Sequence, residues 1–220
     1  MNPKLTIPAL PVLALFLGPC LPAFCQPVID FTELSCGRTG AGELDPGDQL
    51  QRHDMDLRTY PGAMCNDGSP GIFYFRPYVG EENRNRWVIQ LKGGGVCDSP
   101  QSCADRWCAE GTNFGMNTMS SITSPRVGID GHGILNRNQA SLNPWAKYNH
   151  VFIHYCSSDQ WMGNNRNEIM TVIDPGTHVP RKIRAHFLGH QIFEAAIDIL
   201  RARRDPPLTH FLSGQAVSFS

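Results

Sequence analysis

The chain has 220 residues, a formal net charge of −1 and 18% charged residues, a balance that leaves no electrostatic footprint for nucleic acid or for an anionic membrane surface. Its length is enough for one domain with a real core. The 21 glycines and 17 prolines fit a loop-rich protein rather than a helical bundle.

The N-terminus reads as an export signal. Lys4 supplies a positive start, residues 5–17 form an apolar run containing Pro8 and Pro11, and Ala23-Phe24-Cys25 places small residues before Gln26. The pattern predicts a signal peptide over 1–25 and a mature domain over 26–220, secreted or periplasmic. The apolar run is too short and too proline-broken for the ~20-residue helix that spans a bilayer, so no membrane span is expected after signal removal. Export changes the meaning of the remaining cysteines. Cys36, Cys65, Cys97, Cys103, Cys108 and Cys156 form an even set in an oxidising compartment and read as disulfide candidates, with their pairing open. Cys97 and Cys103 are near enough to close a small loop. A zinc site on Cys103 and Cys108 has the wrong spacing and no nearby histidine, so no metal is expected.

Residues 26–60 are polar, with turns at 39–42 and 45–48 and no helix. A dense turn at 65–71 leads into an aromatic strand, 72–76, ended by Pro77. A second strand, 87–91, runs through Lys92 into Gly93-Gly94-Gly95 and Cys97. Glycines after a strand let backbone N–H groups face one point without Cβ obstruction, the arrangement of an oxyanion-stabilising loop. Helix is expected around 102–108, with Asp98 and Asp105 as turn or cap residues, and a loop at 131–135 precedes Asn143-Pro144-Trp145. A buried strand over 150–156 then ends in Ser157-Ser158-Asp159-Gln160-Trp161, a polar cluster at the C-terminal strand end where α/β sheets bind ligands.

The clearest helix covers 187–204, with Phe187, Ile192, Phe193, Ala196, Ile197 and Leu200 on one stripe and arginines in its last turn. His186 and His190 are expected four apart on that helix. With no glutamate between them they read as a polar edge, and His132 and His154 as ordinary hydrogen-bonded histidines. Asp205-Pro206-Pro207 stops the helix, and a strand over 208–212 runs into Ser213-Gly214. The alternation of strands and helices predicts an α/β domain with a largely parallel sheet.

Several of these pieces, in order, resemble the pectin acetylesterase/Notum family of secreted carboxylester hydrolases. Residues 65–76 resemble its C-x-DGSP strand entry, and 87–97 with Ser102-Cys103 its W-x-x-x-L-x-GGG-W-C…SC segment. Residues 131–135 with Asn143-Pro144 resemble its G-x-G-I-L-S…NP segment, and 149–163 its N-x-VFI-x-YCSSD-x-W-x-G stretch. The resemblance implies an α/β-hydrolase-like three-layer fold, a Ser-His-Asp triad with the serine in a G-x-S-A-G-G elbow, no cofactor, and an acylated polysaccharide or acylated protein as substrate. It places oxyanion donors at the backbone N–H groups of Gly94 and Gly95, sets Val96 where plant-type members have tryptophan, and makes Asp159 and Trp161 substrate-binding candidates. For Asp159, capping the following turn is an equal expectation.

The elbow departs from the family. After Ser213-Gly214-Gln215 the nucleophile position is Ala216, followed by Val217-Ser218-Phe219-Ser220, and neither Ser213 nor Ser218 sits in an elbow. A methyl group cannot attack an ester, and no downstream acid or histidine is present in this sequence. The expectation is an incomplete hydrolase-like domain, inactive as this chain. The alternatives are a non-catalytic secreted module that binds acylated glycans and a disulfide-stapled structural protein.

Overall fold

The structure is a computed structural model that describes residues 26–36, 46–110, 115–138, 142–203 and 216–219. The expected signal peptide, the 39–42 turn, the 208–212 strand and Ser213 lie outside these residues. In chain order the elements are β1 (Val28–Ile29), β2 (Pro46–Asp54), β3 (Ile72–Arg76), β4 (Trp87–Leu91), α1 (Pro100–Trp107), β5 (Gly128–Ile129), β6 (Asn149–Ile153), β7 (Asn165–Ile173), β8 (Pro180–Phe187), α2 (Gly189–Ala202) and β9 (Ala216–Phe219).

The main sheet has the strand order β5-β2-β3-β6-β4-β9. All five residues of β3 and of β6 are buried, which is why both read as unbroken apolar runs and not as alternating ones. One face of the sheet carries Phe73, Phe75, Ile89, Val151 and Ile153 against Ile192, Ala196 and Leu200 of α2. The other carries Ile72, Tyr74, Val88 and Phe152 against Leu50, Ile129 and Leu135. Of the expected stripe, Ile192, Ala196, Ile197 and Leu200 of α2 are buried and Phe193 is half-buried, whereas Phe187 lies on β8 and packs into the second core. The parallel part of the sheet is its second half, where β6, β4 and β9 run together, whereas β5, β2, β3 and β6 pair antiparallel. The antiparallel half enters through β2, a strand of polar residues hidden from hydrophobic patterning. Where the sequence predicts a turn at 45–48, Pro46 opens β2, and a register shift between Pro46 and Leu50 takes up the irregularity.

A second sheet, ordered β1-β8-β7, is built on the antiparallel β7–β8 hairpin. Met170, Val172, Ile183 and Ala185 face a core that contains Phe31 and Trp107, whose rings stack at 5.1 Å. The sequence reading gives no element here, because Ile169 and Ile173 on the outer face are exposed and mask the two-residue period. Strand β7 is blunted at its open edge by Gln101 of α1. The Ile173 amide donates to Gln101 Oε1 at 2.8 Å, and Gln101 Nε2 donates to the Ile173 carbonyl at 3.0 Å, so one side-chain amide pairs as a neighbouring strand would.

Helix α1 starts two residues before the expected 102, because Ser99 is its N-cap, accepting from the Ser102 amide, and Pro100 fits its first position. Helix α2 starts two residues later than predicted, because β8 continues through Phe187. His186 therefore lies on a strand and His190 on the helix, which corrects the shared helical face: His190 instead meets Glu194 at 3.2 Å. Among the described residues no group of three His, Cys, Asp or Glu is placed to hold a metal, and no helix is long and apolar enough to cross a membrane.

Disulfides join Cys36 to Cys108 and Cys65 to Cys156. Cys97 and Cys103 do not close the small loop expected of them. They are free thiols, and the hydrogen bond between them holds Cys97 below its ordinary pKa and Cys103 well above its own. The Cys65–Cys156 bridge closes a loop of 91 residues and ties the turn before β3 to the end of β6. Replacing both of its cysteines by alanine should lower the unfolding free energy by roughly 4 kcal/mol, read from the urea midpoint.

His150 is fully buried, and burial pushes its pKa down to about 4. An imidazole held neutral in the native state stabilises it above the unfolded pKa near 6.5, and that stability is lost as pH falls toward 4. The loss from this group should be roughly 3 kcal/mol, and its ring NMR signals should remain those of neutral imidazole down to about pH 5.

Candidate active site

Strand β4 delivers the glycine loop, and β6 and β9 flank it. Two backbone bonds fix the ends of the loop: the Lys92 amide donates to the Ile153 carbonyl, and the Cys97 amide to the Ser158 carbonyl, at 3.0 and 3.1 Å. Between them, side chains from three other segments hold the carbonyls. Trp161 Nε1 donates to Lys92 at 3.2 Å, the Arg106 guanidinium donates to Gly94, and the Tyr155 hydroxyl donates to Gly95 at 2.9 Å. In a trans peptide the C=O and the following N–H point to opposite sides. Anchoring these three carbonyls therefore turns the N–H groups of Gly93, Gly95 and Val96 away from the anchors. Among the described residues the amides of 93–96 have no acceptor, an unusual state for a well-packed backbone.

The glycines are needed where the backbone is left-handed or crowded. Gly95 has φ +72°, and a Cβ on Gly94 would sit 3.0 Å from Tyr155 Cδ1. The loop borders a cavity of about 370 Å³, whose other walls are Lys92, Tyr155, Gln160, Trp161 and Met162. Trp161 packs against Tyr155 with ring centroids 5.2 Å apart and planes tilted by 43°, so the two rings form one wall. Burial pushes the Tyr155 hydroxyl up to about 12, which keeps its proton in place to donate to Gly95. The same oxygen accepts the Gln160 amide at 2.7 Å.

The segment after β6 is strained. Ser158, Gln160 and Trp161 have φ of 52°, 56° and 64°, a conformation that costs non-glycine residues about 1–3 kcal/mol each and concentrates at functional sites. Asp159 holds it in that shape. Its Oδ1 accepts from the Ser157 hydroxyl at 2.6 Å and from the Trp161 amide at 3.0 Å, and its Oδ2 accepts from the Gly189 amide, at the start of α2, at 2.7 Å. Burial raises its pKa against these bonds.

The structure thus brings Gly94, Gly95 and Trp161 to one cavity and uses both carboxylate oxygens of Asp159 to shape the loop that carries Trp161. Ala216 lies in β9, in register with Val88, and the residue beside Leu91 at the loop end of β4 is Phe219. His154 is buried with Nε2 within 3.3 Å of Ser124 Oγ and 3.2 Å of the Ser120 carbonyl, and His132 is exposed, so neither lines the cavity. Sequence reasoning missed Arg106 and Tyr155, while Gln160 is visible only as one of the polar cluster at 157–161. Tyr155 left a trace as the last aromatic before Cys156 at a strand end.

A family profile described as pectinacetylesterase matches residues 51–214. The chain belongs to this family. It is similar to the palmitoleoyl-protein carboxylesterase notum2 of Xenopus laevis, with 36% identity over 119 residues, 53% of this chain and 23% of that protein. It is 33% identical over 118 residues to the inactive palmitoleoyl-protein carboxylesterase notum1b of Danio rerio, covering 53% of this chain and 78% of that one. The crystal structure of the Wnt deacylase Notum from Drosophila superimposes with a TM-score of 0.54 at 29% identity, covering 69% of this chain and 38% of that chain. The chain therefore spans about a quarter of the frog relative's length, and its fold is of the α/β-hydrolase-like type.

The Tyr155 hydroxyl satisfies two backbone groups at once. Tyr155→Phe should leave the Gly95 carbonyl and the Gln160 amide without partners and lower stability by about 2–3 kcal/mol, measured as a shift in urea midpoint at unchanged slope.

Proposed function

We propose that this chain is a carboxylester-hydrolase-type protein that binds acyl esters of a polysaccharide or a protein at its glycine loop and does not turn them over. The observation that carries the reading is the set of unpartnered loop amides facing away from three anchored carbonyls, beside a cavity walled by Tyr155, Trp161 and Met162. Amides held that way suit the oxygen of an ester carbonyl, and they suit it better as that oxygen gains charge. The aromatic wall suits the acyl group. Gly94 and Gly95 are the proposed oxyanion residues, of which the Gly95 amide is oriented by an anchored carbonyl and the Gly94 assignment follows the family resemblance. Trp161 is the proposed acyl contact, with Asp159 holding its segment in place. Val96, 39% exposed next to the loop, leaves the rim wider than a tryptophan would.

The absence of turnover rests on the sequence resemblance, which sets Ala216 at the family's serine position; in the structure Ala216 lies beside Val88, three residues short of the loop end of β4. A protein that keeps only part of such a constellation retains binding and loses most of the rate. The zebrafish relative carries the word inactive in its name, and this favours acyl binding over deacylation for the present chain. The frog relative's name specifies a palmitoleoyl-protein ester and the Drosophila structure's title a Wnt deacylase, while the family name specifies acetylated pectin. The acyl class proposed here therefore runs from acetyl groups on polysaccharide to fatty acyl groups on protein. The signal-like residues 1–25 support secretion as the route to either.

The purified chain should show no hydrolysis of p-nitrophenyl acetate or octanoate above the buffer rate and no labelling by a fluorophosphonate. Octanoate should quench Trp161 fluorescence saturably, and Trp161→Ala should abolish binding measured by calorimetry. Turnover that a phosphonate blocks would overturn the inactive reading, and failure of acyl ligands to bind would overturn the acyl site.

A further inference from the structure

At the end of the main sheet opposite the glycine loop lies a larger cavity, of about 660 Å³, whose lining among the described residues includes Arg76, Arg137, Arg203, Gln49, Phe75 and Tyr78 and no carboxylate. The opposition follows from strand register: Arg76 pairs with His150 at the start of β6, whereas the glycine loop follows Leu91, which pairs with Ile153 at the end of β6.

Arg76 is only 2% exposed. A guanidinium buried to that degree normally has a carboxylate beside it, because an uncompensated charge is costly to remove from water. Arg76 has neutral partners only. Nη1 donates to Gln49 Oε1 at 3.0 Å, and Nη2 donates to the Leu135 carbonyl and to His150 Nδ1, both at 2.6 Å. His150 adds no charge, since burial holds it neutral. Its Nε2 lies 2.7 Å from the Trp145 carbonyl, so the ring proton sits on Nε2 and Nδ1 is free to accept from Arg76. Arg137 donates Nη2 to the Pro77 carbonyl at 2.8 Å, again a neutral partner. The Nε atoms of both arginines are buried with no partner, and among the described residues neither arginine has an ion pair. Arg203 adds a third positive charge, its guanidinium 4.1 Å from the centre of the Phe75 ring.

Nearby carboxylates are engaged elsewhere. Glu81, which accepts from the Tyr78 hydroxyl at 3.0 Å, is exposed and lies 3.6 Å from Arg84, and Asp54 is paired with Arg52 at 2.6 Å. Burial and the facing Arg137 push Arg76 down to about 10, and burial also lowers Arg137. Burial is the main cause of both shifts, and only Arg76 is also lowered by a neighbouring positive charge.

We propose that this cavity is a binding site for a tetrahedral dianion, a phosphate or sulfate group, gripped by the guanidinium groups of Arg76 and Arg137 with Arg203 facing it across the cavity. Guanidinium forks match the oxygens of such a group in pairs. A dianion balances the charges of the buried Arg76 and the half-buried Arg137 together, which a single carboxylate cannot do. The cavity is larger than a bare phosphate needs, and Phe75 and Tyr78 offer ring faces to whatever carries the group. The site is separate from the ester pocket and stands whether or not that pocket binds acyl groups.

The test is calorimetric titration of the intact chain with inorganic phosphate, inorganic sulfate and glucose 6-phosphate, with acetate and chloride at matched ionic strength as controls. Saturable binding of phosphate and sulfate is expected, with at least ~10-fold weakening in Arg137→Gln, which removes one charged donor at a half-buried position. Arg76→Lys keeps the charge and loses the fork, and it should weaken binding similarly while the far-ultraviolet circular dichroism spectrum stays unchanged. Tighter binding of glucose 6-phosphate than of inorganic phosphate would assign the site to a phosphate ester, and equal or weaker binding to the free ion. No saturable binding, unchanged affinity in Arg137→Gln, or acetate binding as tightly as phosphate would overturn the proposal.

Discussion

The planarity of the peptide unit organises the candidate ester site. Once Trp161, Arg106 and Tyr155 draw in the carbonyls of Lys92, Gly94 and Gly95, the amides on the far side of the same planes have nowhere to turn. Each anchor comes from a different part of the chain. Arg106 belongs to α1, which the Cys36–Cys108 bridge holds at its end. Tyr155 follows β6, next to the Cys65–Cys156 bridge. Trp161 sits on a segment kept left-handed by Asp159, itself bonded to the first amide of α2. The loop is thus shaped by the rest of the fold more than by its own three glycines.

What the chain discloses without coordinates follows from burial. Strands β3, β4 and β6 are covered on both faces and appear as apolar runs, and α2 shows its stripe because only one of its faces is covered. The glycine loop is visible because its composition is rare. Strand β2 escapes because its alternating residues are polar, and the β7–β8 hairpin escapes because apolar residues lie on both of its faces. The anchors of the glycine loop escape for a different reason. Arg106 lies 12 residues from Gly94 and Tyr155 lies 60 from Gly95, distances over which sequence carries no pattern. His186 and His190 show the opposite error, where a helical spacing was assumed across a strand end.

The two ends of the main sheet also differ in what they lack. At the loop end there are donors without acceptors, in the form of backbone amides that bear only partial charge. At the other end, among the described residues, the buried Arg76 and the half-buried Arg137 carry full positive charges bonded only to neutral partners. A partial charge favours an oxygen whose charge develops transiently, and a full one favours a group that is permanently ionised. The two proposed sites therefore sit at opposite ends of one sheet and suit chemically distinct groups.

The pairing of β1 with residues 182–183 of β8, and of Cys36 with Cys108, bears on how the molecule is made. A chain emerging from its N-terminus exposes Cys36 while its strand partner is still unsynthesised. Cys65, Cys97 and Cys103 all appear before Cys108 does. The Cys36–Cys108 bridge can therefore close only after three other cysteines have been made, and its fidelity depends on the packed structure, not on the order of synthesis.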